Sequence, residues 1–272
     1  MQETEQRNPK SVSIDKADVS EMLRIINEEN ACSVLAVERA LPDIAKAVDA
    51  VARAFIAGGR LIYVGCGTSG RLAMADAAEC SPTFGVDPKT VIAVMAGGLS
   101  AVRTPSEGEE DSAEKGRADI LAENVTENDI VMGISAGGNA RYVVSAMKAA
   151  KEKGCVLVSL SCNEPCSIGK IADIAICTHT GAEVITGSTR MKAGNAQKMV
   201  LNMITTCAMV KTGKVYSNLM INLRPSNIKL KKRMTDIVEE IYGTDEAGAQ
   251  RMLEKYNYDI AAMLDSETAN GV

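Results

Sequence analysis

Short apolar runs alternate with amphipathic stretches through the middle of the chain. Each run is rich in Val, Ile and Leu, which is the composition of strands buried on both faces. Segments with helical periodicity separate them, at about 69–80, 107–123 and 140–153. This alternation predicts an α/β fold in which helices cover both faces of a parallel sheet. The predicted strands are 61–64, 91–95, 130–134, 155–160 and 174–177.

The flanks of this region are predicted to be helical. A polar, irregular arm over 1–17 precedes a helix over 18–30 and a longer one over 33–57, in which Pro42 marks a kink or a break. After the sheet comes a long helix that ends near Lys211. It is apolar on nearly all sides, so we expect it to lie in the core or in an interface between subunits. The chain thus divides into an N-terminal arm with helices (1–50), a sheet domain (51–214) and a small helical appendage (215–272).

Composition narrows the class of partner. A net charge of −5, no Trp and two Phe argue against binding to nucleic acid, which requires a basic face and often stacking aromatics. No apolar run is long enough to cross a bilayer, and the polar start of the chain has no signal-peptide core, so we expect no membrane partner. The eight cysteines then indicate reduced thiols in the cytoplasm. Cys162 and Cys166 form a lone pair, and no metal is predicted there.

A glycine-rich loop follows the first predicted strand. It reads GCGTSGR over 65–71, and a helix begins directly behind it, so backbone N–H groups at the helix start can hold an anion. A dinucleotide would require an acidic residue at the end of the next strand, which instead runs into Ala96 and two glycines. Gly67 and the hydroxyls of Thr68 and Ser69 favour a small sugar phosphate, although a strand–helix turn without a ligand remains open.

A second loop of similar composition follows the third predicted strand. Ser135, Gly137 and Asn139 offer a hydroxyl, a bare backbone N–H and an amide there. Because the carboxyl ends of parallel strands share one edge of a sheet, both loops can converge on a single phosphate or sugar.

Two acidic regions are candidates for acid–base chemistry. Glu79 lies near the predicted end of the helix after the first loop, where the helix dipole and apolar neighbours would raise its pKa, as a general acid requires. An exposed glutamate at a helix end is the alternative. In the second region, 106–111, capping boxes explain Glu107 or Glu109, whereas spacing does not choose between Glu110 and Asp111.

Five segments together resemble the N-acetylmuramic acid 6-phosphate etherases, a family of the sugar isomerase (SIS) superfamily. The resemblance runs in register over nearly the whole chain. The segments are TEQRNP at 4–9, GCGTSGRL at 65–72, ECSPTFG at 79–85, EGEED at 107–111 and TGSTRMKAG at 186–194.

The resemblance implies a carbon–oxygen lyase without a cofactor, active in the recycling of peptidoglycan amino sugars. It would remove D-lactate from N-acetylmuramic acid 6-phosphate by elimination and would then add water, leaving N-acetylglucosamine 6-phosphate. Glu110 would remove the proton on carbon 2, and Glu79 would protonate the leaving ether oxygen and later activate water. The phosphate and sugar hydroxyls would bind to Thr68, Ser69, Ser135, Gly137 and Asn139. The superfamily also implies a homodimer.

The second loop departs from the family pattern. The family's Ser-Ala-Ser-Gly-Arg-Thr is replaced by SAGGNA at 135–140, which removes two hydroxyls and an arginine. Two alternatives on the same fold follow: a regulator that binds a sugar phosphate without turnover, and an aldose–ketose isomerase. The pair Glu79 and Glu110 favours catalysis over binding alone, and an isomerase would not need an acid for a leaving group.

Overall fold

The computed structural model describes residues 2–104, 108–225 and 227–268. The chain begins with three short 3-10 helices, Glu3–Glu5, Pro9–Ser11 and Ile14–Lys16, and a fourth spans Glu109–Asp111. The other elements, in chain order, are α1 (Val19–Ile56), β1 (Leu61–Gly65), α2 (Gly67–Phe84), β2 (Val91–Met95), α3 (Ser100–Arg103), α4 (Ala113–Ala122), β3 (Ile130–Ile134), α5 (Arg141–Glu152), β4 (Val156–Ser161), α6 (Ser167–Ile171), β5 (Ile174–Cys177), α7 (Lys192–Lys211), β6 (Val215–Tyr216), β7 (Leu219–Met220), α8 (Ile228–Tyr242), α9 (Glu246–Lys255) and α10 (Ile260–Thr268).

The five longer strands form one parallel sheet in the order β2-β1-β3-β4-β5. This confirms the predicted sheet, and every predicted strand agrees with its observed bounds to within one residue. From β1 the chain moves to β2 on one side, and from β3 it moves to β4 on the other. The loops that follow β1 and β3 therefore lie side by side at a topological switch point, where open α/β sheets bind their ligands.

Alternate side chains of the strands build two hydrophobic layers, because successive residues of a strand point to opposite faces. Leu61 and Tyr63 pack into a cluster with α1, α2 and α7. Ile62 and Val64 pack into the opposite cluster with α4, α5 and α6. A third cluster joins the β6–β7 hairpin to α8, α9 and α10, so the predicted C-terminal appendage has a core of its own. The division of the chain into three domains stays a prediction, and its boundary at residue 51 falls inside α1.

The prediction of two N-terminal helices is wrong. Residues 19–56 form one helix of 38 residues that contains Pro42 in its interior. A proline in a helix costs roughly 3 kcal/mol because it removes one hydrogen bond and crowds the preceding turn. The packing of α1 along α7 and the sheet offsets this cost, since Ala40, Ile44 and Ala47 around the proline are buried in the core.

Two other boundaries differ from prediction in ways that bear on function. α2 continues to Phe84, so Glu79 is not at its end. The predicted helix 107–123 is a 3-10 helix followed by the shorter α4, which Ser112 caps by accepting a hydrogen bond from the Lys115 N–H. The capping boxes predicted around Ser106 and Glu107 lie outside the described residues. Throughout the described ranges, no helix has the length and apolar character needed to cross a bilayer. All eight cysteines are unpaired.

Candidate active site

The loop between β1 and α2 is compact because glycine allows its backbone segments to touch. A Cβ atom on Gly65 would lie only 2.8 Å from the Gly70 nitrogen, so a side chain at position 65 would force the turn open. α2 begins two residues later, and in the described part of the chain no side chain caps its first turn. The N–H groups of that turn carry the positive end of the helix dipole and remain available to an anion.

The loop between β3 and α5 is held by its own side chains. The Ser135 hydroxyl accepts a hydrogen bond from the Gly138 N–H at 3.1 Å. Gly138 has φ +72°, and a Cβ atom there would lie 2.5 Å from the Cys166 side chain, so only glycine fits. Asn139 accepts hydrogen bonds from the Ser167 N–H and hydroxyl and donates one to the Gly137 carbonyl. The Asn139 amide therefore shapes the loop and is already occupied within it.

These two loops together line a cavity of about 480 Å³. The cavity is large enough for a phosphorylated amino sugar. A larger cleft of about 520 Å³ lies between α2, β2 and α4, and none of the predicted catalytic or binding residues lines it. Glu109, which the sequence analysis explains by capping, lines this cleft. All of the residues predicted to bind substrate line the smaller cavity, together with Glu110: they are Gly67, Thr68, Ser69, Ser135, Gly137 and Asn139.

The three carboxylates of the 3-10 helix Glu109–Asp111 face different surroundings. Glu109 forms an ion pair with Lys115 and faces the larger cleft. Glu110 and Asp111 line the smaller cavity beside Cys66. Burial, reinforced by the charges of Glu110 and Asp111, raises the pKa of the Cys66 thiol to about 12. The structure thus separates Glu109 from the other two acids, and it leaves both Glu110 and Asp111 in position to contact a ligand.

Glu79 does not line the cavity. It is exposed on α2, twelve residues beyond Gly67, or about 18 Å along the helix axis at 1.5 Å per residue. Neither premise of the sequence argument holds within one chain, because α2 continues for five residues beyond Glu79 and the Glu79 side chain is exposed to solvent. The structure therefore separates the two predicted catalytic glutamates.

Four residues that sequence reasoning did not assign belong to the site. Glu5, Gly187 and Thr189 line the cavity. Gln197, which is buried on α7, accepts a hydrogen bond from the Ser69 hydroxyl at 2.9 Å, and its own amide nitrogen has no partner. The sequence carries a signal for each of them. Glu5, Gly187 and Thr189 lie in two of the quoted motifs, and Gln197 is a polar residue in an otherwise apolar helix.

The N-terminal arm is fixed beside the cavity by a buried ion pair. Glu29 of α1 pairs with Lys192 at the start of α7, and both side chains are about 4 % exposed. Asn8 donates a hydrogen bond to the same carboxylate at 2.6 Å, and Lys10 pairs with it at 2.9 Å. Although burial opposes ionisation, these three donors lower the pKa of Glu29 to about 2. Glu183 accepts hydrogen bonds from the backbone N–H groups of Lys192 and Ala193 and caps α7.

Comparison with known proteins decides the family. The model of the SIS domain matches residues 108–207, and that of the N-terminal SIS domain of glucokinase regulatory protein matches residues 43–151. The chain is 50% identical over 257 residues to an N-acetylmuramic acid 6-phosphate etherase of Caldanaerobacter subterraneus, covering 94% of this chain and 84% of the relative. It is 48% identical over 263 residues to the etherase of Actinobacillus pleuropneumoniae serotype 5b, covering 96% and 86%.

The chain belongs to the N-acetylmuramic acid 6-phosphate etherase family. Solved phosphoheptose isomerases share only the fold with this etherase family member. That from Neisseria gonorrhoeae has a TM-score of 0.54 at 17% identity, covering 70% of this chain and 98% of that one. That from Francisella tularensis has a TM-score of 0.53 at 18% identity, covering 71% and 99%. The comparisons therefore favour an etherase over the regulator and over the isomerase.

Proposed function

We propose that the cavity between the two loops cleaves the D-lactyl ether of N-acetylmuramic acid 6-phosphate, giving N-acetylglucosamine 6-phosphate and D-lactate. One observation carries this proposal: an uncapped helix start, which can bind an anion, and the carboxylates of Glu110 and Asp111 line the same cavity. The family relatives carry the name of this activity. That reaction requires a binding site for the phosphate and a base that reaches carbon 2 of the same bound sugar.

The phosphate is proposed to bind at the start of α2. The backbone N–H groups of residues 67–69 and the Thr68 hydroxyl would donate hydrogen bonds to its oxygens, because the helix dipole favours negative charge there. The Ser69 hydroxyl now donates to Gln197. If the Gln197 amide turned over, its nitrogen would donate to Ser69 and the Ser69 hydroxyl would be free to donate to the phosphate. The second loop would contact the sugar hydroxyls through Ser135 and the backbone at Gly137.

The elimination is proposed to start at Glu110. In the open-chain sugar, the aldehyde at carbon 1 acidifies the proton on carbon 2, and the Glu110 carboxylate would accept that proton. The bond between carbon 3 and the ether oxygen then breaks, and D-lactate leaves after the oxygen receives a proton from an acid. Water adds across the resulting double bond, placing a hydroxyl on carbon 3 and a proton on carbon 2. Asp111 lines the same cavity, so a variant of each acid is needed to assign the base.

Glu79 is proposed to act in the site of a partner subunit within a homodimer. In the single chain it is exposed and remote from the cavity, whereas the leaving oxygen needs an acid. α1 also carries an exposed apolar stripe at helical spacing, formed by Val19, Leu23, Val34 and Leu41, which a second copy would cover.

A cytoplasmic location stays a prediction that the free cysteines favour.

The test measures D-lactate released from N-acetylmuramic acid 6-phosphate by the wild type and by Glu110→Gln, Asp111→Asn and Glu79→Gln. We expect kcat to fall by roughly 10²- to 10⁴-fold for Glu110→Gln and Glu79→Gln, as for the loss of a general acid or base. A larger loss for Asp111→Asn than for Glu110→Gln would reassign the base. Saturable binding of the substrate without lactate release by the wild type would reject the etherase in favour of the regulator.

Complementation tests the partner subunit. Refolded equimolar mixtures of Glu79→Gln and Glu110→Gln chains would contain heterodimers in which one of the two sites has both glutamates. Random pairing would restore about a quarter of wild-type activity, since half of the dimers are mixed and each has one intact site. If both glutamates act within one chain, no mixture would regain activity. A mixture of Glu110→Gln with itself is the control.

A further inference from the structure

A second group of chemically reactive side chains lies outside the cavity, at the carboxyl end of the edge strand β5. Cys177 is the last residue of β5, and His179, the single histidine of the chain, follows two residues later. Glu164 reaches the same place from the loop between β4 and α6. The carboxylate, thiol and imidazole ligand atoms all lie within 4.8 Å of one another, and among the described residues this is the group with the geometry for a metal ion.

We propose that Glu164, Cys177 and His179 bind a transition-metal dication, with Zn²⁺ the best match. Zn²⁺ binds sulfur at about 2.3 Å and nitrogen or oxygen at about 2.0–2.2 Å in a tetrahedron, so neighbouring donor atoms are roughly 3.3–3.8 Å apart. The His179 Nε2 and the Glu164 Oε2 are 3.9 Å apart, so a small rotation of exposed side chains brings them into place. Water would take the fourth position.

The opposite side of the imidazole supports this assignment. The His179 Nδ1 lies 3.3 Å from the Glu3 Oε1. Metal-binding histidines almost always donate their second N–H to a carboxylate, a carbonyl or water, which fixes the tautomer and the orientation of the ring. Nε2 would then be the metal ligand and Glu3 its outer partner. An ion pair between a protonated His179 and the two glutamates would explain these contacts without using Cys177, so the thiol decides between the two explanations.

The ligand set also fits the charge and softness of the ion. A thiolate and a carboxylate neutralise a dication, and sulfur with imidazole selects Zn²⁺ over Mg²⁺ or Ca²⁺. The thiol binds the metal as the thiolate, so the metal–sulfur bond forms as Cys177 releases its proton to solvent. Cys162 and Cys166, the pair visible in the sequence, are buried farther inside and do not take part.

A metal here would act on the arm that borders the active-site cavity. Glu3 belongs to the first 3-10 helix, and the Thr4 hydroxyl beside it accepts a hydrogen bond from Asn163 at 3.0 Å. Glu5 of the same helix lines the cavity, and Gln2 donates a hydrogen bond to the Gly137 carbonyl at 2.7 Å. The ion would thus tie the arm to the sheet edge without touching substrate.

The experiment titrates chelator-treated protein with Co²⁺, whose bond to a thiolate gives an intense near-ultraviolet absorption band, and then displaces it with Zn²⁺. We expect the band in the wild type and in Cys207→Ser, which removes an exposed cysteine elsewhere, and its loss in Cys177→Ser and His179→Ala. Glu3→Gln should weaken Zn²⁺ binding about 10- to 100-fold, as outer-shell changes do. The variants' far-ultraviolet circular dichroism verifies that they are folded.

Three results would overturn the proposal: no thiolate band in the wild type, a band that persists in Cys177→Ser, or Zn²⁺ affinity unchanged in His179→Ala. An unchanged affinity in Glu3→Gln would reject the link between the metal and the arm. Because these readouts do not depend on lactate release, failure of the metal site and failure of the etherase assignment are distinguishable.

Discussion

The buried pair of Glu29 and Lys192 gives the sharpest stability prediction. Replacing Glu29 by Gln preserves shape but leaves the Lys192 ammonium buried without an opposite charge. The pKa of the Glu29 carboxyl falls from an ordinary 4.5 to about 2 on folding. At about 1.4 kcal/mol per pKa unit, ionised Glu29 contributes about 3 kcal/mol to the free energy of unfolding at pH 7. Breaking a buried pair by removing one partner costs a similar amount.

The pH dependence of this loss follows from the direction of the pKa change. Because the folded pKa is the lower one, the contribution is complete above the unfolded pKa and disappears as the pH falls through the folded value. The difference in unfolding free energy between the wild type and Glu29→Gln should therefore shrink by about 1 kcal/mol from pH 7 to pH 4. Urea unfolding at fixed protein concentration measures it, since assembly would otherwise alter apparent stability.

Two variants make this test specific. Glu28→Gln changes the neighbouring exposed glutamate, which pairs with Arg24 in solvent, and should cost far less. The double variant Glu29→Gln with Lys192→Met removes the orphaned ammonium and should recover part of the loss. Equal losses for Glu28→Gln and Glu29→Gln, or a Glu29→Gln penalty that does not change with pH, would refute the reasoning.

Three further outcomes are expected. Gln197→Leu removes the hydrogen-bond partner of the Ser69 hydroxyl, so KM for the sugar phosphate should rise. Gln197→Glu would keep Ser69 donating to the carboxylate and should raise KM further. Equal KM values for the wild type and both variants in steady-state assays would contradict this. Gly138→Ala should lower activity and stability, because φ is +72° and the added Cβ meets Cys166. Gly137→Ala should cost less, because its Cβ meets only the end of the Gln2 side chain. Equal losses of activity and stability in the two variants would contradict this. Asp129→Asn should cost about 3 kcal/mol, because the buried Asp129 carboxylate binds the Arg60 guanidinium at 2.7 Å. Although burial opposes ionisation, the hydrogen bonds from Arg60 lower the pKa of Asp129. KM should not change, since the pair lies outside the cavity.

The sheet could be predicted from sequence because its strands are short, apolar and separated by helical segments. The two loops could be placed at one edge for the same reason: parallel strands end together. Local pattern also left Glu110 and Asp111 as candidates, since capping could not account for them, and both line the cavity. These inferences need only residue type and spacing.

Other features depend on tertiary contacts that spacing does not encode. Pro42 signals a break in any isolated helix, but packing against α7 keeps α1 continuous. The predicted end of α2 near residue 80 is too early, because the helix contains Pro82 in its interior and continues to Phe84. Gln197 meets Ser69 across 128 positions of sequence, and Glu3 meets His179 only when the arm packs at the sheet edge.

The contacts of the arm have a consequence for the order of folding. Thr4 meets Asn163, Asn8 meets the carbonyl of Ala182, and Ser11 meets that of Val184, each across more than 150 positions. Closing loops of that length lowers the chain entropy before the contacts contribute any stabilising free energy, so such contacts form late. The sheet can assemble first from neighbouring segments, and the arm docks onto its finished edge. Newly folded chains would pass through a stage in which the sheet is complete but the side of the cavity lined by Glu5 has not yet formed.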